Sequence, residues 1–149
     1  YKGYHADATR TYMVGNVSSD VRKLVKDTEG AFYAGVSKVK PGVRIKEISR
    51  AIENFAHEHG LSVVEELVGH GIGLEMHEDP DVPNFDGSNI RLKKGMTIAI
   101  EPMLNMGVKD VYLCDDDWTV KTLDGKPSSH YENTVLVTDT GYEILTGDE

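Results

Sequence analysis

Between residues 18 and 60 the apolar positions repeat every three or four residues. Val21, Leu24, Val25, Phe32, Val36 and Val39 form one such series, the spacing that puts side chains on one face of a helix. Ser18 or Ser19 can cap its start, and Pro41-Gly42 stops it. Ile45, Ile48, Ile52, Phe55 and Ala56 make a second helical face, with Gly60 placed to end it. Elsewhere the apolar residues come in short runs rich in β-branched and aromatic side chains. Residues 4–14 read as a strand between Gly3 and Gly15, and residues 61–68 as another. Residues 69–73 read as a glycine-rich turn around His70 and Ile72, and residues 79–95 as a loop rich in Pro, Asp, Asn and Gly. Residues 96–100 make a short buried strand that ends at Glu101-Pro102. Beyond it, residues 111–114, 118–122, 130–138 and 142–146 read as antiparallel strands, with turns at Asp124-Gly125 and Thr140-Gly141. Two helices followed by antiparallel strands predict an α+β fold.

The 149 residues correspond to one domain, large enough to bury roughly 70% of the unfolded surface. There is no repeat, low-complexity stretch or Gly/Ser linker. Lys and Arg total 16 against 25 Asp and Glu, a net charge of −9. That balance argues against nucleic acid or an anionic membrane as the main partner and suits a protein that gathers cations. Cys114 is the one cysteine, so no internal disulfide forms, as fits a reducing compartment such as the cytosol. No apolar run is long enough to span a bilayer, and no signal peptide is recognisable. Tyr1 is not an initiator methionine and already opens a strand-like stretch, which leads us to expect a piece of a longer protein.

Four side chains stand out against their surroundings. Asp7 falls within the first strand-like run, His70 between glycines, Glu101 directly after the apolar Ile98-Ala99-Ile100, and Glu132 within the last long strand. Burying a carboxylate in an apolar strand costs several kcal/mol unless it is paired or bound to metal. Carboxylates can bridge two cations, and an added imidazole suits borderline-hard ions such as Mn, Fe(II), Co or Zn. Such a pair of ions can activate water and polarise a carbonyl. Each residue also has an ordinary reading: Asp7 and Glu132 as outward-facing strand residues, His70 as a turn histidine, His77 as a loop histidine and Trp118 as core. Only Glu101 is hard to explain as structure, because the strand before it is apolar on both faces. His5, His57 and His59 read as non-catalytic, and residues 115–117 as a solvated acidic turn.

The strings Gly69-His70-Gly71-Ile72-Gly73, Met76-His77-Glu78-Asp79-Pro80, Ile100-Glu101-Pro102-Met103 and Tyr131-Glu132-Asn133-Thr134 occur in that order. Together with Tyr4-His5-Ala6-Asp7-Ala8-Thr9-Arg10 and Trp118-Thr119-Val120, they make the chain resemble the type I methionine aminopeptidases of the pita-bread metallopeptidase group. The likeness runs through essentially the whole chain. It implies that Asp7, His70, Glu101 and Glu132 are four of five ligands to two divalent metal ions (Co, Mn, Fe(II) or Zn), with Asp7 and Glu132 bridging. It further implies that Glu101 is general base and that His77 bonds the scissile amide. Met76 and Trp118 would line a pocket for a methionine side chain. The implied partner is the N-terminal peptide of nascent proteins, met at the ribosome in the cytoplasm. The family's fifth ligand, an aspartate one strand earlier, falls upstream of Tyr1. Residues 1–149 are thus expected to be the later, catalytic half of a single pita-bread domain without its N-terminal part, weak in metal binding and activity and prone to self-association. An Xaa-Pro peptidase of the same fold is the enzymatic alternative, and a non-catalytic pita-bread binding module the other. Met103 and the Trp118 segment speak for methionine.

Overall fold

The first long periodic segment folds as α1, Ser19–Val36. Ser18 caps it, with extended backbone and its hydroxyl accepting the Val21 N–H at 3.4 Å, which satisfies one orphan donor of the first turn. Its inner face buries Leu24, Thr28, Ala31, Phe32, Gly35 and Val36. The helix ends at Val36, so Val39 lies beyond it although it is still buried. Pro41-Gly42 follows the end rather than causing it. The second segment is α2, Ile45–Glu58, which buries Ile45, Ile48, Ser49, Ile52 and Ala56. Gly60, with φ of +72°, takes the left-handed conformation that closes a helix and that a side chain disfavours. The two helices pack on each other and cover one face of the main sheet. Leu24, Phe32, Val36, Ile45, Ile48 and Ile52 meet Ile98, Ile100, Val135 and Val137 in one apolar core.

The computed structural model describes residues 1–147. Its strands are β1 (Ala8–Thr9), β2 (Ser62–Val63), β3 (Gly69–Gly71), β4 (Glu78–Val82), β5 (Thr97–Ile100), β6 (Met103–Asn105), β7 (Val111–Leu113), β8 (Val120–Thr122), β9 (Ser128–His130), β10 (Glu132–Val137) and β11 (Tyr142–Ile144). The main sheet runs β1-β10-β5-β3-β4, with β11 also on β10. Strands β2, β6 and β9 form a smaller sheet, and β7 with β8 a hairpin. The pairings are antiparallel, so the α+β expectation holds.

Several expected boundaries do not. The strand read over residues 4–14 contracts to β1, because only Ala8 and Thr9 find partners, Asn133 and Glu132 of β10. Asp7 therefore sits just before the strand, not inside it. The strand read over residues 61–68 contracts to β2. The glycine-rich segment is not a turn: Gly69, His70 and Gly71 form β3, an inner strand of the main sheet between β5 and β4. The glycines serve close approach, since a Cβ on Gly71 would collide with the Asp79 carbonyl and one on Gly69 with that of Ala99. The expected loop over residues 79–95 opens with β4. Strands β6 and β9 were not anticipated.

Arg10 fastens the short β1 in place. Its guanidinium donates to the Glu132 carbonyl at 2.6 Å and to the Asn133 side chain at 2.8 Å, and lies 4.2 Å from the Tyr131 ring centroid.

Candidate metal centre

Strand order and register bring the singled-out side chains together. Thr9 pairs with Glu132, Asn133 with Ile100, and Ile98 with Gly71. Asp7 just before β1, Glu132 on β10, Glu101 just after β5 and His70 on β3 therefore come from neighbouring positions. The Asp7 N–H donates to the Thr134 hydroxyl, which donates back to the Asp7 carbonyl, both at 2.9 Å. Glu101 follows β5 directly, and its carbonyl accepts from the buried Asn84 amide at 3.1 Å.

Glu132 is 3% exposed and accepts a hydrogen bond from the Thr9 hydroxyl at 2.8 Å. Burial, with the neighbouring Glu101 and Asp7 charges, pushes its carboxyl up to about 7, against the Thr9 bond and the nearby His130. Desolvation and like charge both penalise the ionised form. His70 is buried in β3, and its Nδ1 lies 2.9 Å from the Gly71 carbonyl. A carbonyl can only accept, so Nδ1 carries a proton and Nε2 is the nitrogen turned toward the carboxylates. That Nε2 faces Glu101 Oε1 at 3.4 Å. A lone pair set against a carboxylate oxygen repels it unless a proton or a cation lies between them.

Two donor groups result. One ligand atom each from Asp7, His70 and Glu132 lie within 4.8 Å of one another, and so do one each from Glu101, His130 and Glu132. Glu132 belongs to both. The three carboxylates gathered here repel one another when ionised, and divalent cations relieve that repulsion. The mixture of oxygen and nitrogen donors fits borderline-hard ions.

All four expected ligands are thus assembled. The His77 ring stands 4.3 Å from that of His70 by centroid, and the two share a recess with Val68, Glu78, Asp79 and Asp81. Met76 precedes His77 and is partly exposed. Trp118 is not core: it is 86% exposed in the turn between β7 and β8, where its backbone N–H donates to the Asp116 carboxylate at 3.1 Å. His130 is the residue the sequence reading missed. The available signal was its spacing of two from Glu132, which places both on one face of an extended chain.

The helix-backed antiparallel sheet carries its cluster of carboxylates and imidazoles along residues 1–139, which match metallopeptidase family M24, and the chain belongs to that family. Methionine aminopeptidases are among its relatives, and a prolidase structure from Pyrococcus horikoshii also matches, with a TM-score of 0.75 at 29% identity over 100% of this chain and 38% of its own. Methionine aminopeptidase 1 of Bacillus subtilis (strain 168) is 48% identical over 146 residues, which are 97% of this chain and 59% of that protein. The methionine aminopeptidase structure from Rickettsia prowazekii matches with a TM-score of 0.96 at 38% identity, over 99% of this chain and 60% of its own. That from Thermotoga maritima matches with a TM-score of 0.95 at 40% identity, over the same shares. The chain spans about six-tenths of the length of these methionine aminopeptidases. Its α+β architecture is the pita-bread arrangement of those structures. No helix among the described residues is long and apolar enough to cross a membrane.

Proposed function

We propose that the protein is a metal-dependent aminopeptidase that removes N-terminal methionine, and that Asp7, His70, Glu101 and Glu132 hold two divalent ions. The observation that carries this reading is the membership of Glu132 in two adjoining donor groups, which is what a carboxylate shared by two ions requires. When bound, such ions act as Lewis acids and acidify water. The chain's own residues do the rest. Glu101, flanked by His70 and His130, is placed to take a proton from water and pass it to the leaving amine. His77, beside His70, donates a hydrogen bond to the scissile amide and so stabilises charge that develops there. Met76 and Trp118 approach the methionine side chain, whose flexible thioether suits apolar and aromatic neighbours. The substrates are the N-terminal peptides of new proteins, met in the cytoplasm, and residues 1–149 belong to one catalytic domain. The 48% identity to a methionine aminopeptidase supports this substrate choice.

The test is release of free methionine from Met-Ala-Ser by the full-length protein with Mn(II) or Co(II), beside a chelator control and an Ala-Pro peptide. Chelator-sensitive methionine release that falls at least 100-fold in Glu101→Gln is the expected result; a lost general base costs about that much or more. Cleavage of Ala-Pro in preference to Met-Ala-Ser would overturn it.

A further inference from the structure

We propose that Thr9 and Thr134 are paired positioning residues of the metal centre, each fixing from its own strand the acidic residue carried by the other; this rests on the metal reading above. Thr9 lies opposite Glu132 in the pairing of β1 with β10, and continuing that register sets Asp7 opposite Thr134. Opposite residues of an antiparallel pair share a face of the sheet, as do residues two apart on one strand. Asp7, Thr9, Glu132 and Thr134 therefore form one patch, with the two acids on one diagonal and the two threonines on the other. Each acid has a hydroxyl across from it instead of a like charge, which would be destabilising there.

The two contacts differ in kind. The Thr9 hydroxyl donates to Glu132 Oε2 at 2.8 Å and so fixes the rotation of that carboxylate. The Thr134 hydroxyl holds the main chain of Asp7 instead, accepting its N–H and donating to its carbonyl, both at 2.9 Å. Asp7 needs this clamp because it lies just outside β1. Thr134 sits where the edge of β10 passes from β1, paired at 132 and 133, to β11, paired from 135 to 137. Its own N–H donates to the Thr146 hydroxyl at 2.9 Å, and its carbonyl accepts from the Leu145 N–H at 2.9 Å. Those main-chain groups are committed to the chain after β11, so the side chain takes the rung that Asp7 requires.

A group that both accepts and donates is what this place demands, and a hydroxyl does both. Asp7 and Glu132, the carboxylates that the metal reading shares between the ions, are thereby held against rotation and shift before a cation arrives. A donor set fixed in advance loses less freedom on binding. Partners that orient metal ligands in this way typically contribute about 10- to 100-fold in metal affinity.

The test is Co(II) titration of the full-length protein, first stripped with chelator, followed by calorimetry and by the visible absorption of the bound ion. The parent is compared with Thr9→Val, Thr134→Val, Thr9→Ser and Thr134→Ser. Thr28→Val, which removes a buried hydroxyl bond inside α1, is the control, and circular dichroism checks folding. The Co(II) dissociation constant should rise about 10-fold or more in Thr9→Val and in Thr134→Val, with a changed absorption band at saturation. The serine variants, which keep the hydroxyl, and Thr28→Val should stay close to the parent in both readouts. Thr134→Ala stands in if Thr134→Val does not fold. Parent-like affinity in either valine variant of the pair overturns the proposal. Weakening as large in the serine variants, or in Thr28→Val, also overturns it, leaving packing or general stability as the cause. Absence of Co(II) binding by the parent would instead overturn the metal reading, and this proposal with it.

Discussion

Replacing Glu132 by glutamine should stabilise the metal-free protein at alkaline pH and leave it nearly unchanged in acid. Glu132 is almost fully buried, with Asp7 and Glu101 against it and only the Thr9 hydroxyl bonding its carboxylate. Its carboxyl titrates at about 7 rather than at 4.5. The folded protein therefore keeps a proton between those values that the unfolded chain has already lost. Stability is highest below about 4.5, falls as pH rises through the window, and stays lowered above 7. At about 1.4 kcal/mol per pH unit the full effect is roughly 3 kcal/mol. Solvent screening at the mouth of the cluster reduces it to about 2 kcal/mol. Glutamine keeps the acceptor for Thr9 and never ionises. The assay is urea unfolding with chelator present, followed by far-ultraviolet circular dichroism, for both proteins at pH 5 and pH 8. Other titrating groups largely cancel in the difference between them. Glu132→Gln should exceed the parent by about 2 kcal/mol at pH 8 and match it within about 0.5 kcal/mol at pH 5. Equal or lower stability of the variant at pH 8 would refute the argument that the cluster penalises this charge.

Gly71→Ala should destabilise by about 2 kcal/mol or more, because its Cβ meets the backbone carbonyl of Asp79 rather than a side chain that can move. It should also weaken Co(II) binding by shifting His70; an unchanged urea midpoint would contradict the close packing of β3 against β4. Phe32→Ala should cost about 3–5 kcal/mol in the same unfolding assay, since its ring is fully buried between the helices and sheet and packs 5.2 Å from Tyr131. A loss under about 1 kcal/mol would place Phe32 outside the core. Trp118 is the one tryptophan and is exposed, so intrinsic fluorescence should show a water-exposed indole, quench freely with acrylamide and change little on unfolding. A blue-shifted, shielded emission would bury it.

The helices were legible because their signals are local. Apolar spacing, Ser18 as cap and Gly60 as stop all lie within the segments they define, and α1 and α2 formed nearly where expected. The sheet was less legible because its strands are short and depend on partners far along the chain. β1 has two residues and exists only through β10, and β6 and β9 have three residues each with mixed polarity. β3 was misread because glycine flanks usually mark a turn, whereas here they admit neighbouring carbonyls to van der Waals distance. Asp7, Glu101 and Glu132 were visible as charges in apolar surroundings, and His70 through its flanking glycines. His130 was not, because a histidine after two serines at the end of a short strand has only its spacing of two from Glu132 to mark it. Its meaning comes from Glu101, 29 positions earlier, and only the fold brings them together.

The cluster also connects stability with metal binding. Four main-sheet strands (β1, β10, β5 and β3) carry, or directly adjoin, a titratable side chain of the site, and the glutamates among them gain nothing from the apolar core. In the metal-free state Glu132 keeps its proton near neutrality to limit the repulsion. A cation needs that proton gone, so binding competes with protonation and tightens as pH rises toward and past 7. The ordering of the two proteins at pH 8 should therefore invert when metal is supplied. The parent gains about 2.7 kcal/mol at an ion concentration 100 times its dissociation constant. Glu132→Gln, which has surrendered a shared ligand, gains far less. On the proposed reading, the residue that weakens the metal-free fold is the ligand that the two ions share, and conditions that reveal only one of these effects would misjudge its contribution to the protein.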